Sequence, residues 1–145
     1  DIRAAVTATV ERWGRVDILV NNAALMTFDR MVELEEADWE RVLGVNLTGA
    51  FRFVKQCLTH MGPGSVILNV SSVHAQATGP GVVPYAASKG GLEAFTRGLA
   101  VELDEQKIRV NALRPGAVDT PMLWDNPNVQ SGAEKVVPLE LGQPE

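Results

Sequence analysis

Short apolar runs and longer stretches of helical period alternate along this chain. Between Ala4 and Trp13, apolar residues recur at Ala5, Val6, Val10 and Trp13, a helical spacing that stops at Gly14. Val16-Asp17-Ile18-Leu19-Val20 is a short apolar run ending in Asn21-Asn22, the form of a strand buried in a parallel sheet. Glu33 to Met61 predicts a loop and then a long helix from about Asp38. Glu35, Glu36 and Asp38 cluster at its amino end, where carboxylates suit the helix dipole and read as a solvated cap. Gly62-Pro63-Gly64 breaks the helix, and Ser65 to Val70 is the second strand. A loop rich in Gly, Ala and Pro runs from Ser71 to Val83. Pro84 then stands in the first turn of a helix reaching about Glu105. Leu92, Phe95 and Leu99 form its apolar stripe, while Ala86, Ala87, Gly90, Gly91 and Ala94 let another element approach closely. Ile108 to Leu113 is the third strand and ends in Arg114-Pro115-Gly116. Ala117 to Glu145 is rich in Pro and Gly and has no strong period.

Helix and strand in this alternation predict an α/β layer fold with a parallel sheet and right-handed crossovers. The 145 residues fit a single domain able to bury a sizeable core. With 46% hydrophobic and 21% charged residues the composition is that of an ordinary globular protein. A net charge of -5 argues against nucleic acid or an anionic membrane as partner. The one cysteine, Cys57, excludes an intrachain disulfide and lies in an apolar-periodic run, where a buried structural thiol is expected. The chain starts Asp1-Ile2-Arg3 with no apolar leader, and no apolar stretch approaches the roughly 20 residues of a membrane span, so the cytoplasm is the expected compartment. It opens without methionine and closes on Leu141-Gly142-Gln143-Pro144-Glu145, which predicts an excerpt of a longer protein.

Candidate chemistry gathers where the strands end. Asn21 and Asn22 follow the first strand, Ser71 and Ser72 the second, and Pro115 to Thr120 the third. Ligands of open parallel sheets bind beyond such carboxyl ends. Tyr85, the only tyrosine, precedes Lys89 by four residues on the helix that the second strand leads into, so the phenol and the ammonium share one helix face. A fixed positive charge beside a phenol is expected to lower its pKa, and a phenol so tuned can exchange a proton with a carbonyl or alcohol oxygen. His60, at a helix end, needs no catalytic role. Two histidines and one cysteine without ligand spacing make no case for a metal. Trp13 and Trp39 are expected in the core.

Five segments occur in the order and spacing of one family. They are Leu19-Val20-Asn21-Asn22-Ala23-Ala24, Val45-Asn46-Leu47-Thr48-Gly49-Ala50-Phe51, Asn69-Val70-Ser71-Ser72, Tyr85-x-x-x-Lys89 and Arg114-Pro115-Gly116-Ala117-Val118-Asp119-Thr120. With them the chain resembles the short-chain dehydrogenase/reductases over essentially its whole length. The resemblance implies a Rossmann-like, doubly wound parallel sheet in a three-layer α/β/α fold, of which this chain is the central and catalytic part. It implies an NAD(P)-dependent oxidoreductase interconverting a secondary alcohol and a ketone or aldehyde.

In that reading Tyr85 is the general acid/base, and Lys89 lowers its pKa and binds the nicotinamide ribose. Ser72, thirteen residues before Tyr85, steadies the substrate oxygen, and its neighbour Ser71 is the other candidate. Asn46 holds a water that links Lys89 to solvent. Asn21, Ala23 and Ala24 form the turn beside the adenosine ribose, and Pro115, Gly116, Val118 and Thr120 frame the nicotinamide amide and pyrophosphate. His74 is expected to border the substrate, and Trp124, with Met122 and Leu123, falls in the segment that covers the substrate in the family and is expected to line the pocket. Ala24 stands where the family usually has glycine.

The family's Gly-rich phosphate loop is not in this chain, and the Gly-Pro-Gly stretches at 62–64 and 79–81 do not replace it, because proline removes an amide donor. NAD and NADP stay undistinguished, since the residue reading the ribose 2′ position lies outside the chain. The two long helices resemble the pair that packs into homodimers and homotetramers. Rival readings are a catalytically inactive truncated relative serving as a binding or oligomerisation module, and an α/β hydrolase, which the lack of a Gly-x-Ser-x-Gly elbow disfavours.

Overall fold

The computed structural model describes residues 1–132 and 136. Its sheet has three parallel strands in the order β1 (Ile18–Asn21), β2 (Val66–Val70) and β3 (Arg109–Leu113). Leu19 pairs with Ile67 and Ile67 with Val110, and these three side chains are buried on one face. Against them pack Val6 of α1 (Ile2–Trp13), Val54 and Cys57 of α3 (Gly49–Cys57), and Leu99 of α4 (Val83–Glu102). Right-handed crossovers between strands added in one direction put every connecting helix on the same side, which is the arrangement seen. Among the described residues the opposite sheet face carries exposed Ile18, Val20 and Leu113. The chain thus carries one winding of the doubly wound architecture, with one of its two helix layers.

The long helix expected from Asp38 to Met61 begins at α2 (Glu36–Leu43) and continues to His60, but not as a uniform α-helix. Gly44–Thr48 forms a π turn, in which the Gly49 amide reaches back to the Gly44 carbonyl. Such turns insert one extra residue and re-aim the side chains around it, often at functional sites. The re-aimed residue here is Asn46, which is 2% exposed. α4 crosses this turn so closely that a Cβ on Gly91 would lie 3.0 Å from Leu47 Cδ2. Small residues on α4 were expected to permit an approach of this kind, and Gly91 is where it occurs.

Trp13 is a correction: its ring is 66% exposed, with the Arg12 guanidinium 5.1 Å from its centroid. The apolar stripe of α1 is spent at Val6 and Val10, and Gly14 ends the helix before Trp13 can turn inward. Cys57 is buried as expected, and burial pushes its thiol pKa up. No described helix is long and apolar enough to cross a membrane. In the loop after β2, Gly81 adopts a φ of +75°, and a Cβ there would lie 3.4 Å from the Phe28 carbonyl oxygen. The loops after β1 and β2 are thereby stacked above the sheet's carboxyl edge.

Ile67 sits at the centre of the sheet and is fully buried. Ile67→Ala should cost about 2–5 kcal/mol, as large-to-small core changes do. Chemical denaturation of the two proteins measures it, and a loss below about 1 kcal/mol would remove Ile67 from the core.

Candidate active site

The carboxyl ends of all three strands open into one cleft of about 560 Å³. Asn22, Ala23 and Ala24 border it from β1, Ser71 and Ser72 from β2, and Pro115, Gly116, Val118 and Thr120 from β3. Tyr85 and Lys89 reach it from the first two turns of α4. Parallel alignment makes this convergence automatic, because every strand points its carboxyl end at the same side.

Lys89 is 2% exposed, a rare environment for an ammonium. Its Nζ donates to the Val70 carbonyl oxygen at 2.7 Å, just where β2 leaves the ladder. Burial lowers its pKa to about 8. An ammonium has three donors, so two remain for a ligand in the cleft. Tyr85 stacks its ring 5.5 Å from that Nζ and 5.8 Å, edge to face, from the His74 imidazole. The expected lowering of the tyrosine pKa by Lys89 is not what the environment produces. Burial pushes the phenol up, and the opposing influence is a hydrogen bond with Ser72. Desolvation of the buried phenol is the dominant influence, and the nearby Lys89 ammonium, bonded to the Val70 carbonyl, does not offset it.

The two serines after β2 divide. Ser71 Oγ turns inward to Glu93 Oε1 at 2.8 Å. Ser72 Oγ accepts the His74 amide hydrogen at 3.2 Å, which leaves its own proton for Tyr85 or a substrate oxygen. The thirteen-residue spacing therefore brings Ser72 to the phenol.

The Asn46 side chain bonds across the fold. Its Oδ1 accepts from the Leu25 amide at 2.9 Å, and its Nδ2 donates to the Leu25 carbonyl and to Ser88 Oγ, each at 2.9 Å. Both amide protons are used, so the side chain clamps the loop after β1 to α4. Asn21 is turned away: its Nδ2 donates to Asn69 Oδ1 at 2.8 Å, inside the sheet. Its neighbour Asn22 borders the cleft instead. Trp124 does not face the cleft either. It is 44% exposed with its indole Nε1 donating to Asp119 Oδ1 at 2.7 Å, and Met122 and Leu123 of α5 (Pro121–Trp124) form the wall. His74 does line the cleft, with Nδ1 3.1 Å from Thr78 Oγ1.

Residue-by-residue reading missed Met26 and the Glu93–Arg114 pair behind Ser71, and placed Asn22 at the strand end without giving it a contact in the site. Alternation along β1 offered the one available signal, because Asn21 shares the buried face of Leu19 and Asn22 does not.

The whole of the chain, residues 1–145, matches the family model described as enoyl-(acyl carrier protein) reductase. An uncharacterized NAD-dependent oxidoreductase of Mycobacterium tuberculosis is 42% identical over 138 residues, 92% of this chain and 50% of the relative. The 3-oxoacyl-(acyl-carrier-protein) reductase of Thermotoga maritima is 39% identical over 149 residues, 99% of this chain and 60% of the relative. A gluconate 5-dehydrogenase from Burkholderia cenocepacia, solved with NADP and tartrate, superposes with a TM-score of 0.80 at 32% identity, over 92% of this chain and 51% of that one. The chain spans about half the length of these relatives. Strand order, cleft and relatives agree, and the chain belongs to the short-chain dehydrogenase/reductase family.

Proposed function

We propose that this chain supplies the proton-transfer half of an NAD(P)-dependent oxidoreductase interconverting a secondary alcohol and a ketone or aldehyde. One observation carries the reading: the Tyr85 phenol, hydrogen-bonded to Ser72 and flanked by the buried ammonium of Lys89, lies in the cleft at the strand ends.

The cleft fits the nicotinamide-ribose end of such a cofactor. A Cβ built on Gly116 would meet no protein atom within 4 Å, so the backbone there lies open for a flat ring to approach. Lys89 has two donors to offer ribose hydroxyls, and Pro115, Gly116, Val118 and Thr120 would border the ring. No Gly-rich phosphate loop occurs among the described residues. One relative is named as NAD-dependent and one solved neighbour holds NADP, and either nucleotide suits these contacts. When bound, the nicotinamide supplies or accepts the hydride.

The chain's own residues manage the oxygen and its proton. During reduction Tyr85 gives its phenolic proton to the substrate oxygen as negative charge develops there. Ser72 donates a second hydrogen bond to the same oxygen, its orientation set by the His74 amide. The Lys89 ammonium stabilises the phenolate left behind. Met122, Leu123 and Val118 wall the cleft and keep water from the reacting centre. The same reading makes the enzyme a homo-oligomer, with Phe51 (46% exposed) and Val101 (81% exposed) on the outer faces of the two long helices as its contacts.

Tyr85→Phe should lower carbonyl reduction by the full-length protein at least 100-fold, within the range that general acids contribute. Steady-state assays with NADH and NADPH read this, and undiminished turnover would end the proposal. The lysine predicts a pH limb. Its ammonium is retained below about 8 and lost as the pH rises through that value. Reduction should therefore decline above about pH 8, and Lys89→Arg, charged to far higher pH, should keep whatever activity it retains beyond that point. A profile flat from about pH 7 to 9 in the unaltered enzyme would contradict the role given to Lys89.

A further inference from the structure

We propose that the Glu93–Arg114 ion pair is a positioning device that holds Ser72 and the Pro115–Gly116 turn in working register with Tyr85. This rests on the reading of Tyr85 as the proton donor.

Beyond the last residues of β2 and β3 the chain has no ladder to fix it. Two backbone bonds cross the gap, Ser71 amide to Leu113 carbonyl at 2.7 Å and Val73 amide to Pro115 carbonyl at 3.0 Å. Glu93 joins both of these loops to α4. It stands one turn after Lys89 and two after Tyr85 on the same helix face, is 7% exposed, and does not itself border the cleft. Its carboxylate takes three donors. Arg114 Nε reaches Oε1 at 2.8 Å, Arg114 Nη2 reaches Oε2 at 2.6 Å, and Ser71 Oγ reaches Oε1 at 2.8 Å. Arg114 also spends Nη1 on Gln76 Oε1 at 2.9 Å, in the loop that carries Ser72 and His74. The single carboxylate thus ties α4 to the residue before Ser72 and to the residue before Pro115.

A paired fork has only one low-energy orientation, which a point charge lacks. The pair is also fully ionised in working conditions, because the Arg114 guanidinium holds the Glu93 carboxyl below the usual carboxylate range. Residues that merely stabilised the fold could sit anywhere along α4. These contact the two flanking residues whose neighbours enter the cleft.

The experiment compares Glu93→Leu, Glu93→Gln and Arg114→Lys with the unaltered full-length protein. It reads kcat and KM, thermal stability, and the ultraviolet titration of the Tyr85 phenol taken as the difference from Tyr85→Phe. Glu93→Leu should lower kcat about 10- to 100-fold, as small misplacements of reacting groups do. The phenol titration should move to higher pH, because a loosened Ser72 no longer lowers it. Glu93→Gln keeps one acceptor for Ser71 and Arg114 but loses the second arm of the fork, so its kcat should fall between those of Glu93→Leu and the unaltered protein. Arg114→Lys keeps the charge and loses the fork, so it should behave like Glu93→Leu. If Glu93→Leu does not fold, Arg114→Lys decides, since its side chain is the more exposed partner at 39% against 9%. Unmoved kcat and phenol titration in folded Arg114→Lys or Glu93→Leu would overturn the proposal. The phenol titration reads the clamp without any substrate. A protein inactive toward carbonyls but with a shifted phenol would reject the catalytic reading and leave the clamp standing.

Discussion

The inner face of α4 is polar where a helix packed on a sheet would ordinarily be apolar, and the site depends on that anomaly. Tyr85, Ser88, Lys89, Glu93 and Thr96 are all buried, and they recur at the spacing of one helix face. Each is bonded outward to a different segment. Ser88 takes the Asn46 amide, Lys89 the Val70 carbonyl, Glu93 the Ser71–Arg114 pair, and Thr96 accepts the Asn69 amide at 2.9 Å. A single such bond contributes only about 1 kcal/mol net, while leaving a buried partner unmade costs about 1–3 kcal/mol. The stripe therefore does little for stability by its sum and much for specificity by its alternatives. A slip of α4 by one residue would strand these groups at once. Leu92 and Leu99 supply the attachment to the core, and the polar residues supply the register.

That register decides the acid–base chemistry. Burial acts on Tyr85 and Lys89 in opposite directions, raising the phenol and lowering the ammonium, because in both cases it disfavours the charged form. The phenol stays protonated and ready to donate, while the lysine at about 8 still carries its charge at neutral pH. Lys89 is held by a neutral carbonyl instead of a carboxylate, which leaves its charge uncompensated within the cleft. A phenolate formed by proton transfer is the anion nearest to hand. The ammonium has more to gain from that anion than from the neutral phenol, which is the differential stabilisation that lowers a barrier.

Strands, helices and the Tyr85–Lys89 pair were legible in the sequence because each rests on local period or short spacing. Ile18, Ile67 and Val110 sit in runs that only a strand explains, and i to i+4 on a helix fixes a shared face wherever the helix lies. Three things were not legible. The π turn at Gly44–Thr48 accompanies tertiary bonding of Asn46 to Leu25, a partner 21 residues distant, which no local period reports. Asn21 and Asn22 differ only in which sheet face each takes, and that depends on where β1 ends. The tyrosine pKa was misjudged because spacing reports distance and not solvation. A lysine four residues away favours the phenolate, but the burial that comes with this place in the fold raises the phenol by more.

The same contrast separates chemistry from selectivity. Ser72, Tyr85 and Lys89 are held by bonds to β2, β3 and the loop after β2, and through Asn46 and Ser88 to the loop after β1. The facing wall is held differently. Met122 and Leu123 belong to a four-residue helix, tied locally by Trp124 to Asp119, and α6 (Pro127–Gln130) reaches the loop after β2 through Asn128 Nδ2 donating to the Pro80 carbonyl at 3.1 Å. Among the described residues, neither Met122 nor Leu123 belongs to the core cluster of the sheet. A substitution on α4 disturbs several bonded segments together, whereas one at Met122 or Leu123 changes the shape of one wall. On the proposed function, the proton-transfer group is constrained by the fold, and the substrate it meets is chosen by residues that the fold leaves free to vary.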